Sequence, residues 1–271
     1  MDSGVEKAEG QKREQMEQVQ NSTPISIFVN EDVCRRWWKS NPFKYSCKQV
    51  HDDWDYHDTV RNNSTYLAHS MFLNYFVVKC LAFNHGKECI DYRAAAVEAK
   101  PEMFGKLGAD IVRHYEIFKS KSTHPMDNLY SVKIVSLAHF MYYNQDVPNP
   151  DEFDISKEIL LRIMNYLNQL LYDNMQTYVR VESGGLIGNV NIMFHDEKDN
   201  IRTLYQIKVS RSDDRQRTLL QAQMYAYCYS KERGTMINKI IIYRPLSGEE
   251  LIMDSNQIDF KKIEEIAYQL N

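Results

Sequence analysis

Five polar side chains in the last third of this 271-residue chain stand where chemistry could be done: Asn191, Gln206, Lys208, Gln221 and Tyr225. The segment Gly188-Asn-Val-Asn-Ile-Met-Phe194 alternates as a half-buried strand does. His195 to Asn200 makes a charged turn, and Leu204-Tyr-Gln-Ile-Lys-Val209 reads as a second strand. Residues two apart on a strand share a face, so Gln206 and Lys208 are predicted to lie together, with Asn191 turned the same way from the neighbouring strand. Thr218 to Tyr229 reads as an amphipathic helix that sets Gln221 and Tyr225 four apart on one face. Amide carbonyls at 191 and 206 are oxygen ligands for a hard cation, but they bring no negative charge. The same residues also suit an ordinary hairpin with a polar turn.

The order of these residues resembles the RecB-like, lambda-exonuclease-like branch of the PD-(D/E)XK nuclease superfamily. There a Gly-x-[Ile/Val]-Asp strand is followed about 15 residues later by [Asp/Glu]-x-Lys and then by Gln-x-x-x-Tyr on a helix. Asn191 falls on the Asp position, Gln206 on the acidic position, Lys208 on the Lys, and Gln221 and Tyr225 on the helical pair. Lys239-Ile-Ile-Ile-Tyr243 supplies the next strand, completing the family's strand, strand, helix, strand order. The resemblance implies a restriction-endonuclease-like core and phosphodiester hydrolysis, in which Mg²⁺ polarises phosphate and supplies hydroxide. The lysine would orient the water or stabilise the charged transition state. With Asn191 and Gln206 as degenerate metal positions, the resemblance implies no bound cofactor for this chain, and Mg²⁺ only once carboxylates are restored. Glu116, Glu182, Asp196 and Asp199 are the other carboxylates that could reach such a site.

Upstream, Asn41-Pro-Phe-Lys-Tyr45 resembles the Cys-Pro-[Phe/Arg]-Lys-[Tyr/Phe] segment of such nucleases, with Asn41 in place of cysteine. The family's first motif, built around a histidine, matches Thr65-Tyr-Leu-Ala-His69, with Thr65 in place of glycine. His114 is the rival position, and either histidine could equally be a packed, hydrogen-bonded core residue. The five cysteines show no spacing suited to an iron–sulfur cluster, and none is predicted.

A net charge of −4 argues against a dedicated nucleic-acid coat, so local clusters of basic residues matter more than the total. Arg202, Lys208, Arg211, Arg215 and Arg217 lie close to the candidate site in sequence, although a solvated loop face would look the same. Arg35-Arg-Trp-Trp-Lys39 with Lys44, Tyr45 and Lys48 could grip a single strand by stacking and charge, with Trp38 among the contacts. One of Trp37 and Trp38 is expected in the core. Composition (43% hydrophobic, 26% charged) is that of a globular protein. No apolar run of about 18 residues and no signal-peptide core are expected, and an odd number of cysteines suits a reducing compartment. These readings point to an intracellular protein, cytoplasmic, nuclear or in a viral replication compartment, neither secreted nor in a membrane.

Residues 1–22 are polar and read as a disordered or frayed arm, 23–150 as a helical N-terminal region, and 151–271 as the nuclease-like core. A long helix is predicted from Lys157 to about Met175, the sheet from Tyr178, and a last helix from Phe260 to Leu270. The expected fold is α/β: a mixed central sheet of about five strands flanked by helices. Three functions fit. The first is a pseudonuclease that binds nucleic acid, DNA sooner than RNA, or a DNA-processing protein. The second is a Mg²⁺-dependent DNA exo- or endonuclease represented with inactivating Asp→Asn and Glu→Gln changes. The third is an interaction scaffold with no nucleic-acid role.

Overall fold

The computed structural model describes residues 23–29, 32–52, 63–143, 145–152, 154–170, 172–209 and 215–268. The arm 1–22 and Arg211 therefore lie outside the described residues. Strand β1 (Thr23–Pro24), helices α1 (Ile25–Phe28) and α2 (Asp32–Ser40), and strand β2 (Ser46–Gln49) come first. Helices α3 (Asn63–Asn84), α4 (Tyr92–Ala99), α5 (Gly105–Lys119), α6 (Leu129–Ser136), α7 (Ala138–Tyr142) and α8 (Lys157–Leu167) follow. The chain then forms β3 (Asn174–Ser183), β4 (Leu186–Asp196), β5 (Ile201–Ile207), α9 (Arg215–Arg233), β6 (Lys239–Arg244), β7 (Glu249–Asp254) and α10 (Phe260–Tyr268).

These elements make an α/β fold around one mixed sheet, ordered β1-β4-β5-β6-β7-β2 with β3 also paired to β4. β5 and β6 are parallel, joined by the crossover helix α9, and β3–β4, β4–β5 and β6–β7 are antiparallel. Among the described residues the sheet has seven strands, where about five were expected. Two come from the N-terminal region. β1 is two residues long, and all four side chains of β2 are exposed, so neither shows the apolar alternation that betrays a strand.

Alternate residues of the strands feed two separate cores. Ile192, Phe194, Tyr205, Ile207, Ile241 and Tyr243 pack against α3 to α8. Val190, Met193, Leu204, Ile240, Ile242 and Leu251 pack against α1, α2, α9 and α10. Helices thus cover both faces, as apolar sheet faces require. α3 is the apolar run that the sequence reading did not expect: Tyr66–Asn84 is long and apolar enough to cross a membrane by length and composition, and 67% of that stretch is buried inside the protein. Its residues Tyr75 to Ala82 sit in the first core, so its apolarity has a packing role. α8 stops at Leu167 rather than near Met175, because Asn174 already opens β3.

Candidate functional site

The sheet opens beside Gly188–Asn191. One edge of β4 pairs with β3. Its other edge meets β1 at Leu186 and Ile187 and β5 only from Ile192 to Asp196. Among the described residues, no strand covers the second edge in between. The β3–β4 ladder also skips a pair here: Thr177 faces Ile192 and Val179 faces Val190, but Tyr178 and Asn191 are not bridged. Tyr178 has a φ of 49°, unusual for a bulky side chain. Both strands change phase at this point. Met175 and Ile192 enter the core under α3, whereas Val179 and Val190, four and two residues away, enter the one under α9.

This phase change decides where the amides go. Asn191, 7% exposed, donates from Nδ2 to Asn74 Oδ1 on α3 at 3.1 Å. Its Oδ1 accepts from the Ile207 backbone N–H at 2.9 Å, and its own N–H donates to Gln206 Oε1 at 3.2 Å. Gln206 lies between Tyr205 and Ile207, which both enter the core under α3, so alternation turns it to the other side. The two amides therefore meet through the gap between β4 and β5, not on one face as strict alternation predicts. Each supplies a hydrogen bond that the diverging strands can no longer supply to each other.

Lys208 follows β5, and its backbone N–H continues the parallel ladder by donating to Tyr243 O at 2.9 Å. Burial and the neighbouring Arg217 charge both lower its pKa. On α9, Gln221 Nε2 donates to the Tyr225 hydroxyl at 2.8 Å, so these two residues are brought together as their spacing predicts. Tyr225 lies against Gly188: a Cβ there would fall 2.3 Å from Tyr225 Cε1. Glycine lets the buried ring of α9 rest on β4 beside the opening. Gly188→Ala is expected to cost about 1–3 kcal/mol by overpacking, read as a lower thermal midpoint. The double change with Tyr225→Leu should recover part of the loss. An unchanged midpoint for Gly188→Ala would contradict this packing.

The face under α3 carries a polar cluster that the sequence reading missed. Asn189 Nδ2 donates to the Tyr92 hydroxyl at 2.9 Å. Beside Tyr92, Arg93 is gripped by the fully buried Asp91 (Nη2–Oδ2 2.6 Å) and ringed by Tyr75, Tyr92 and Tyr178 at 5.0–5.2 Å. One local signal was there to find. Asp91 precedes a helical run, and its side chain caps α4 by accepting from the Arg93 and Ala94 N–H groups.

The other candidates lie elsewhere. His69 is buried on α3, and burial first, with the Lys133 charge, lowers its pKa to about 4 against the pull of Asp154. His114 bonds Ser131 Oγ at 3.0 Å and is a packed core histidine. Trp38, expected as a nucleic-acid contact, is 2% exposed in the core beneath α9, so it offers no stacking face. Arg215 is spent on Glu249 at 2.9 Å, an acid shared with Arg244 at 2.8 Å. Lys44 is exposed, beside a turn that Gln216 anchors by bonding both the N–H and the carbonyl of Phe43. Of the remaining carboxylates, Glu116 binds Lys119, Glu182 binds Arg180, and Asp196 caps its own turn.

A second neutral histidine, His139, has its pKa lowered to about 4 by burial and by Arg93, to which its Nδ1 is hydrogen-bonded. For both histidines the unfolded chain protonates near 6.5 and the folded chain only near 4. Their contribution to stability is complete above 6.5 and is lost as the pH falls toward 4. Replacing either histidine by Gln should flatten the slope of denaturation free energy against pH in that window. An unchanged slope would show that neither is held neutral.

The donor set does not fit Mg²⁺. The Asn191 and Gln206 carbonyls are neutral and already accept backbone N–H bonds, and no group of three or more His, Cys, Asp or Glu suited to a metal occurs among the described residues. No protein-family model matches the chain, and no curated protein matches it.

Proposed function

We propose that this chain is a pseudonuclease of the PD-(D/E)XK type, RecB-like in its motif order, which binds nucleic acid at the sheet opening and does not cut it. DNA is the preferred partner, in an intracellular setting. The observation that carries the reading is the pairing of neutral amides at 191 and 206 with cations beside them. Burial first, and the neighbouring Arg217 charge with it, disfavour the charge on Lys208. A phosphate oxygen relieves both penalties with charge-assisted hydrogen bonds. The amides meanwhile hold the strand edge without repelling that phosphate, as carboxylates would.

Binding of a labelled duplex and a labelled single strand, followed by fluorescence anisotropy at rising salt, tests the proposal. Affinity should fall steeply with salt, and Arg217→Glu should weaken it at every salt concentration. Neither DNA should be shortened on long incubation with Mg²⁺. Absence of binding even at low salt would overturn the proposal and favour a scaffold that meets proteins only.

A further inference from the structure

On the α9 face of the sheet, beside the turn that joins β4 to β5, lies a cavity of about 260 Å³. Its lining follows from strand register. Met193 enters the core under α9, so His195, two residues on, shares that face. Their partners on β3 are Gln176 and Asn174, and the partner of His195 on β5 is Arg202. All five residues line the cavity, and Tyr229 lines it from α9. His195 is four residues beyond Asn191 on β4, about 13 Å along a strand. The cavity is therefore separate from the sheet opening.

Asn200 organises the charged wall. Its φ of 52° is a left-handed conformation that asparagine tolerates. Its Oδ1 accepts from Arg202 Nη1 at 3.2 Å and is bonded to His195 Nε2 at 3.2 Å, so one oxygen holds both basic side chains in place. No carboxylate pairs with Arg202 among the described residues, which leaves its guanidinium N–H groups to donate. No Asp or Glu lines the cavity, and Glu197, outside the lining, is engaged by Asn174 Nδ2. The Arg233 guanidinium, 5.3 Å from the centre of the Tyr229 ring, adds positive charge nearby.

A cavity whose charged liners are basic selects an anion. The planar fork of arginine suits an oxyanion, and a phosphomonoester brings three acceptor oxygens. Arg202, the Gln176 amide and the Tyr229 hydroxyl can supply their donors, since no hydrogen bond within the described residues ties down either of the last two. Met193 and the Tyr229 ring give an apolar wall for an organic group. The volume falls just short of the roughly 300 Å³ at which ligand pockets usually begin, so the ligand must be compact. We infer that this cavity binds a small organic phosphate, gripped by Arg202, with Asn200 as the residue that positions the grip. The inference is independent of the nucleic-acid reading above.

Isothermal titration of the full chain with phenyl phosphate, inorganic phosphate and phenol is the test. Phenyl phosphate should bind, inorganic phosphate more weakly and phenol not at all. Arg202→Met should weaken phenyl phosphate binding about tenfold or more. Asn200→Gly, which suits the turn but removes the shared oxygen, should weaken it by a smaller factor. Arg217→Glu, which tests the sheet opening, should leave it unchanged. Thermal melts establish that each variant is folded, and Arg202→Gln replaces an Arg202→Met that is not. Binding undiminished in the folded Arg202 variant, or no binding of phenyl phosphate at millimolar concentration, would overturn the inference. So would loss of oligonucleotide binding in that variant, which would make the cavity a seat for a nucleic-acid phosphate. The reading of the opening fails separately, if the unmodified chain binds no oligonucleotide while phenyl phosphate still binds.

Discussion

Arg93→Met is expected to destabilise the protein by about 3–5 kcal/mol, the usual cost of removing one partner of a buried ion pair. Asp91 has no exposed surface, and it serves two masters. Its Oδ1 accepts the Arg93 and Ala94 N–H groups that start α4, and Oδ2 grips the guanidinium at 2.6 Å. Burial alone would pull the Arg93 pKa down, and the Asp91 carboxylate more than reverses that, so the guanidinium keeps its charge in the folded protein. Methionine fills much of the space but strands the carboxylate. Asp91→Asn keeps an acceptor for the cap and strands the cation instead, with a comparable loss. The double variant removes both charges and should be more stable than either single one, because the two changes share one interaction. Denaturant unfolding of the four proteins measures the coupling. Single variants within about 1 kcal/mol of the parent, the range of exposed pairs, would show that the ion pair is not buried in solution.

The elements that frame the site were legible because their residues carry local patterns. Alternation marks β4 and β5, and the four-residue spacing of Gln221 and Tyr225 marks one face of α9, where the two side chains do meet. The glycine at 188 was legible as part of a motif, but its reason was not: it makes room for a ring on another element. What no local pattern could show is the phase change at Tyr178 and Asn191. It depends on Asn74 and on the aromatic shell around Arg93, which lie 117 and about 100 residues away in sequence and have no periodic relation to the strand. β2 was invisible for a different reason, since a wholly exposed edge strand has no apolar signature. Trp38 and Arg215 misled because residue type reports stacking and charge but not burial, and here one packs in the core and the other is bound to Glu249.

The largest functional change should come from restoring charge at the opening. Asn191→Asp with Gln206→Glu is expected to give Mg²⁺-dependent DNA cleavage, where the pseudonuclease proposal expects none from the parent. The exchange is sterically conservative. The oxygen at 191 can still accept the Ile207 N–H, and the oxygen at 206 can still accept the Asn191 N–H, so the hydrogen bonds that close the gap survive. Only the Nδ2 contact to Asn74 changes sense, and turning the Asn74 amide over presents its own donor to the new carboxylate. The second oxygen at 206, with the lone pairs left on the oxygens at 191, can then meet a hard cation that neutral amides do not hold. Each single change should achieve little, because groups that act as a unit are strongly non-additive, and the double change should exceed either one by orders of magnitude, about 10⁴-fold. Lys208→Ala in the double background should abolish the gain, as should chelation with EDTA. Nicking of supercoiled plasmid, scored for the parent, both singles, the double and the triple variant, decides the matter. Cleavage by the parent that ignores EDTA would contradict the assignment of Asn191 and Gln206. A double variant that binds DNA and Mg²⁺ but never cuts would limit the likeness to nucleases to the order of the strands.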